Sequence, residues 1–416
     1  MNNNLNSEEV ALSKNAKQIK ILKIIESLNL FQMFVTFPAK MEILLPYVNG
    51  NTNLYQLYNS RSMTFASAFS MISNPLLAQL SNIFGRKQMI HYTSCYAFLS
   101  RCIPGIFPTG PVILVLAAIS GAANTSMYST TMIGDIMKGD PKKIANLQAE
   151  LLGVRAIVFV FGPVLGAVLA KNYGIRSVFA LSSIISASQI YLTTFLKETL
   201  SEKMRMSRID YSKIVPWNFL KLMFASTKSF ITCILYMVTK ATDGRAIGQI
   251  GTLVRTEQYD TNTFGIMERS YIAAYQTFCM IPGYMFARKI FATMSVFNTF
   301  LVGHIVLIVQ KYVQSILMTL RMDYFIMTLA VAKPIADVSV INMLRKCGKQ
   351  CGFGIAELEG MISNLEETSY ALAAPFWAMI YSNALQHSND SRLFHRGVYI
   401  LLLIQIGMGF VSEKLL

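Results

Sequence analysis

The chain has 416 residues, 53% of them hydrophobic and 14% charged, with a mean hydropathy of +0.43 and a formal charge of +15. Soluble chains carry about 25% charged residues, so this composition excludes an ordinary soluble domain and points to a polytopic protein of the lipid bilayer. The 37 Lys and Arg fall mostly in short loops between apolar runs, which excludes a nucleic-acid surface and makes the charge a topology signal.

Taken in chain order, Met1 to Glu9 is polar and lacks the basic-then-apolar order of a cleavable signal peptide. Residues 1–23 are expected to form a cytoplasmic segment. Twelve runs near the roughly 20 residues that cross a bilayer follow at 24–46, 61–81, 89–107, 111–134, 150–170, 176–196, 226–250, 262–286, 291–313, 317–341, 353–381 and 397–412. Glu26, Gln32, Lys40 and Glu42 interrupt the first, and Pro38 predicts a kink in it. The basic segment 197–225 is the longest polar stretch, and it divides the chain into six-helix halves at 24–196 and 226–416. With the N-terminus inside, the larger share of the basic residues lies on inside segments, so both termini are expected in the cytoplasm or its organellar equivalent. The expected fold is all-α, with twelve transmembrane helices in two halves. Nothing in the sequence separates a plasma membrane from an organelle membrane.

Between the second and third runs, Ser73 to Lys87 reads as a tight basic hairpin. Gly85 can take the positive φ of a helix exit, and Arg86 and Lys87 suit the inside of a membrane. This stretch resembles the helix 2–3 loop of the major facilitator superfamily, with a pattern of roughly Gly-x-Leu-Ala-Asp-Arg-x-Gly-Arg-Arg/Lys. Leu80, Gly85, Arg86 and Lys87 match, whereas Ala78, Ser81, Asn82 and Ile83 depart. In the fifth run, Gly162-Pro163 followed by Gly166 resembles the signature of drug-proton antiporters and tetracycline-efflux-like proteins, with Ala167 for the last Gly. Physically, small residues let helices approach and Pro loosens the backbone; ordinary close packing would use the same residues. Lys197 to Leu200, closing the sixth run, and Ala356 to Gly360, opening the eleventh, resemble further habits of that branch.

The resemblance implies a transporter working by alternating access, with a conformational switch at Asn82, Gly85, Arg86, Lys87 and Asp135 and at Gly162, Pro163 and Gly166. It also implies that Arg86 can pair with Asp135, and that Asn82 gives up the charge–dipole attraction to the start of helix 11 that the usual Asp supplies, about 0.3–1 kcal/mol. The helix 4 Arg tied to proton coupling has no counterpart in Val115 to Gly121. Phe84 to Lys87 recurs as Phe286 to Lys289, and Gly162-Pro163 as Ala374-Pro375, at matching places in the two halves. Such recurrences are expected of a duplicated six-helix unit rocking around a central site; chance recurrence of short motifs is the alternative.

Intramembrane charges are the remaining signal, since each costs roughly 2.5 kcal/mol or more at the bilayer centre and so faces protein or a wet cavity. Arg155 lies eight residues before Pro163 and Glu367 eight before Pro375; with Glu366 they are expected to belong to the conformational switch, to be buried and to need partners. Glu357 and Glu359 read as the wet end of the eleventh run. The resemblance places helices 1, 4, 7 and 10 around the solute pathway, which makes Lys40, Glu42, Lys240, Asp243, Asp323, Lys333 and Asp337 its candidate residues. Lys333 and Asp337 are spaced to satisfy each other, and Asp323 falls about 40° from Asp337 on the same helix. A structural ion pair would produce the same pattern.

Cys95, Cys102, Cys233, Cys279, Cys347 and Cys351 form no disulfide or zinc framework. No phosphate-cradling loop or nucleophile motif occurs, so no cofactor, metal or enzymatic activity is expected. Aromatic residues such as Tyr128, Tyr236, Tyr271, Tyr275 and Phe278 identify no substrate, and His304 is the one mid-span His. The function expected is secondary active transport of a small organic solute by a monomer, with protons as the candidate coupling ion. The alternative is a transport-incompetent relative acting as a membrane sensor or scaffold.

Overall fold

The computed structural model describes residues 2–122, 125–137, 141–202, 205–209, 214–259, 264–316, 319–388 and 393–414. Parts of the basic segment (203–204 and 210–213) and the side chains of Gly153, Ala287, Arg288 and Ala356 lie outside the described residues. Every regular element among the described residues is helical. In order these are α1 (Asn2–Val35), α2 (Phe37–Tyr47), α3 (Thr52–Phe84), α4 (Arg86–Ile106), α5 (Gly110–Ala118), α6 (Thr125–Ile136), α7 (Pro141–Tyr173), α8 (Ile175–Thr194), α9 (Phe219–Met223), α10 (Thr227–Ala241), α11 (Gly244–Gln258), α12 (Ile266–Thr293), α13 (Val296–Gln314), α14 (Leu320–Met327), α15 (Ala332–Gln350), α16 (Ile355–Ser388) and α17 (Leu393–Lys414). Each apolar run falls on one helix or on a pair separated by a short break. Among the described residues, five helical spans are long and apolar enough to cross a membrane, including Val296–Gln314 and Leu393–Lys414.

The breaks have local causes. Pro38 cannot donate to the preceding turn, and the first span opens at Thr36, between α1 and α2. The tenth span tightens into a 3-10 segment at Thr328–Val331, because Pro334 has no N–H for the carbonyl one turn before it. The seventh span breaks without a proline. Thr242 ends α10, and Asp243, in an extended conformation, caps α11 by accepting from the Gly244 N–H.

The chain separates into two compact units. Unit 1 comprises Met1–Ile43, Ile72–Leu116 and Ser120–Ile214, and unit 2 comprises Leu44–Met71, Ala117–Ile119 and Val215–Leu416.

In unit 1, α7 approaches α1 through glycines. A Cβ on Gly166 would stand 2.0 Å from the Val35 carbonyl oxygen, and one on Gly162 2.7 Å from the Phe34 Cβ. Only hydrogen fits, so the helices touch backbone to backbone beside the first-span break. Buried amides join α1, α4 and α8: Gln32 donates to Gln189 (3.1 Å), Gln189 donates to Ser94 (3.0 Å), and Ser186 donates to Gln32. With hydrophobic driving force between spans absent, such bonds and close packing hold them together.

Unit 2 repeats the device at its own break. A Cβ on Gly283 of α12 would stand 2.2 Å from the Val331 carbonyl oxygen in the 3-10 segment. Its core gathers Leu222, Cys233, Tyr236, Phe300, Val340, Leu344 and Leu365.

Candidate functional site

The break in the seventh span is the feature around which unit 2 arranges its polar side chains. Carbonyls left over where α10 ends need partners. Trp377 Nε1 donates to the Ala241 carbonyl (2.6 Å), and Gln405 Nε2 donates to the Val238 carbonyl and to Thr242 Oγ1 (3.2 Å each). His304 orients that amide, with its Nε2 2.7 Å from Gln405 Oε1 and its Nδ1 2.9 Å from the Phe300 carbonyl. The mid-span His is thus held inside the packing of its own unit.

On the other side of the break lies a group of charges. Lys240 Nζ is 2.9 Å from Glu366 Oε1 and 4.0 Å from Asp243 Oδ2. Tyr236 donates to Glu366 (3.0 Å), and the Tyr370 hydroxyl lies within hydrogen-bond reach of Asp243 (2.9 Å) and Glu366 (3.2 Å). Lys333 Nζ is 2.6 Å from Asp337 Oδ1. Lys333 also interacts with Asp243, and Asp337 with both Asp243 and Lys240, which joins this pair to the group. Arg245, the second residue of α11, makes a two-pronged bond to Glu367 (3.0 Å each), lies 4.2 Å over the Tyr370 ring, and donates to Ser67 (3.3 Å). Such a fork is the strongest form of cation–carboxylate bond.

Four of the expected pathway residues, Lys240, Asp243, Lys333 and Asp337, therefore meet, and Glu366 meets with them. Asp323 does not share their surface. Before the 3-10 segment it is bound by Arg255 Nε (2.6 Å) and Gln314 (3.0 Å), and the 40° offset expected of one unbroken helix does not hold, because that segment interrupts the helical register between Asp323 and Asp337. In unit 1, Lys40 lies on α2 against Arg101 of α4, a second cation, while Glu42 is half-buried nearby on α2. Glu359 holds Arg345 in a half-exposed pair (2.7 Å).

The hairpin forms a second constellation, within unit 1. Arg86 Nε binds Asp135 (2.9 Å), and Arg86 NH1 donates to Asn82 Oδ1 (2.9 Å). Gly85 has φ 103°, and α4 starts immediately after it. The carboxylate at the start of α4 comes from Glu198, which accepts from the N–H groups of Arg86 and Lys87 (3.1 Å each) and from those of Thr199 and Leu200 (3.0 Å each). Thr199 donates to Asp135 (2.9 Å), and Lys87 Nζ donates to the Thr194 carbonyl (3.1 Å). Arg155 finds its partner in Glu26, at 2.8 Å, with Ser126 at 3.2 Å.

Sequence reasoning missed Arg101, Arg245, Arg255, Glu198 as a cap, and the partners Gln405 and Trp377. A lone Arg in an apolar run was the available signal for Arg101, and Asp243-Gly244 inside a run was the signal for the break. Unit 2 also holds a cavity of about 460 Å³ between α3 and α16, lined by Arg61, Phe65, Pro375 and Met379 among others, but by none of the charges around the break.

A chain of membrane-length helices carrying partnered charges is an integral, multi-pass membrane protein. No protein-family model matches it. It is 24% identical over 248 residues to Multidrug resistance protein 3 of Bacillus subtilis (strain 168), covering 58% of this chain and 44% of the relative. It is 28% identical over 143 residues to the MFS-type transporter TwmF of Talaromyces wortmannii, covering 33% of this chain and 26% of that one. Each match thus spans less than half the relative's length. Among solved structures it resembles the nucleoside transporter NupG, with a TM-score of 0.75 at 11% identity, covering 96% of this chain and 99% of that one. The fold is thus that of the solved transporter, and the curated proteins matched in sequence carry the names of a multidrug-resistance protein and an MFS-type transporter.

Proposed function

We propose that the protein is a secondary active transporter that exports a small organic solute by alternating access, with protons as the coupling ion. The observation that carries this is the charge inventory at the broken seventh span. Lys240, Arg245 and Lys333 face Asp243, Asp337, Glu366 and Glu367, three cations against four carboxylates. A surplus negative charge at membrane depth is costly, and a proton or a cationic group of the solute relieves it. Exchange between those two occupants is a coupling mechanism, because the site is balanced with either and with only one at a time. A discontinuous helix suits the task, since the break lets Asp243 and Arg245 leave the helical register and meet carboxylates and cations of other spans. The direction of export is supported by the Gly162-Pro163 motif and by the multidrug-resistance name of the Bacillus relative.

Purified protein reconstituted in vesicles, given a pH gradient and a panel of organic solutes, tests this reading. Expected is gradient-driven accumulation of at least one solute, lost in Asp337→Asn and Glu366→Gln at normal insertion. Solute movement indifferent to the pH gradient would remove proton coupling. Folded protein that moves no solute of any class would favour the sensor or scaffold reading.

A further inference from the structure

The cavity of about 460 Å³ in unit 2 lies between α3 and α16, which run in opposite directions along it. Two polar ties join the helices beside it. In one, Pro375 has no N–H to offer the Ala371 carbonyl one turn before it, and Thr64 Oγ1 of α3 donates to that carbonyl instead, at 3.2 Å. In the other, Glu257 accepts from Thr52 Oγ1 (2.8 Å) and from the Tyr381 hydroxyl. On both helices the lining turns from polar to apolar in the same direction. Along α3 it passes from Asn53 through Arg61 to Phe65, and along α16 from Asn383 through Met379 to Pro375. Arg61 stands where the polar residues 52–60 give way to the apolar run 61–81. It is exposed, and its guanidinium has no acceptor among the described residues. Among the described residues no carboxylate lines the cavity; Glu257 is held in the tie.

An arginine keeps its charge in any surroundings, and an unpaired charge at membrane depth is costly. Arg61, at the edge of an apolar run, is long enough to reach the headgroup layer. The surface beside the cavity is apolar, since Phe65, Leu372 and Met379 are each more than half exposed. In a membrane-spanning chain, acyl chains cover such surface at no cost, being as apolar as the side chains themselves. A hydrated solute route would be lined by polar groups instead. An amphiphile with an anionic head meets both the cation and the apolar wall, and the bilayer supplies one. We infer that the cavity between α3 and α16 holds an anionic phospholipid, with its phosphate on Arg61 and one acyl chain against Phe65, Pro375 and Met379. The planar fork of a guanidinium matches two phosphate oxygens at once. This site is separate from the charge group at the seventh-span break and does not depend on what that group transports.

The purified full chain, stripped of lipid in detergent, is incubated with equal amounts of phosphatidylglycerol and phosphatidylcholine carrying the same acyl chains, and native mass spectrometry counts the lipids retained. Expected is one phosphatidylglycerol per chain, preferred about fivefold, the worth of one arginine beside an anionic headgroup. Arg61→Met should abolish that preference and Arg61→Glu reverse it. Neither change removes a bond within the described residues, so both variants keep the fold. Arg321→Met, at another exposed arginine of unit 2, should leave the preference intact. Met379→Trp keeps the cation but narrows the cavity, and should lower retention of phosphatidylglycerol. Equal retention of the two lipids by the unaltered chain, a preference that survives Arg61→Met, or an equal loss in Arg321→Met would overturn the assignment. So would displacement of the lipid by an equal concentration of soluble glycerol phosphate, which would mark a site for a free anion. Full retention in Met379→Trp would take the acyl chain out of the cavity and overturn it as well.

Discussion

The start of α4 offers the sharpest test of local physics, because two residues 113 positions apart in sequence, Gly85 and Glu198, occupy the same space. A Cβ at residue 85 would stand 2.2 Å from Glu198 Oε2 and 2.8 Å from its carboxyl carbon. Glu198 removed by substitution to Ala leaves the Arg86 and Lys87 N–H groups uncapped and takes a negative charge from the helix start. Caps and charge–dipole contacts of this kind contribute about 1–2 kcal/mol. Gly85→Ala has two costs. An L-residue at φ 103° is strained by about 1–3 kcal/mol, and the new methyl expels the Glu198 carboxylate, which adds the same loss of cap. In the double variant the cap is lost once, so the two changes should fall short of additivity by about 1–2 kcal/mol. Thermal unfolding of purified protein in one detergent reads this, at about 2–4 °C per kcal/mol for a domain of 150–250 residues. Tm losses that add to within about 0.5 kcal/mol would refute the claim that Glu198 rather than solvent caps this helix.

Two further outcomes are expected. Gly166→Leu should separate α7 from α1 at Val35, where even a methyl has no room, and lower the yield of folded protein sharply, whereas the same change at Gly407, where a Cβ meets nothing within 4 Å, should be tolerated; equal yields would remove the backbone contact. Glu26→Ala should cost more stability than the paired change Glu26→Ala with Arg155→Ala, by about 1 kcal/mol or more, because the single variant leaves Arg155 without its carboxylate. A double-mutant cycle on Tm checks this, and a double variant as unstable as the single would sink it.

What the sequence made legible follows distance along the chain. The spans are local features, read from runs of apolar residues, and helices are found there. The Pro38 break was equally local. The Lys333 and Asp337 pair was readable because one helix turn fixes it. The seventh-span break was present in the sequence as Asp243-Gly244, a capping residue followed by a helix-starting glycine, but apolar flanks on both sides concealed it. Arg155 with Glu26, and Glu367 with Arg245, were legible only as halves of pairs. Which partner each takes depends on helices joined by more than a hundred intervening residues, and no pattern in the sequence records that packing. Glu198 was hidden for a further reason: it lies outside the spans, where a carboxylate is unremarkable, and its role exists only because Gly85 leaves room for it.

The two long-range pairs also bear on which charges deal with solute. In unit 1 the carboxylate is on the first span and the cation on the fifth; in unit 2 the cation is on the seventh span and the carboxylate on the eleventh. Each pair satisfies both of its members, as a brace between two helices does. That leaves Lys240, Asp243, Lys333, Asp337 and Glu366 as the group on which the proposed exchange rests. In unit 1 the first-span cation Lys40 interacts with a second cation, Arg101. Among the described residues the surplus carboxylate lies at the seventh-span break, and there the proposed proton and solute cation would compete.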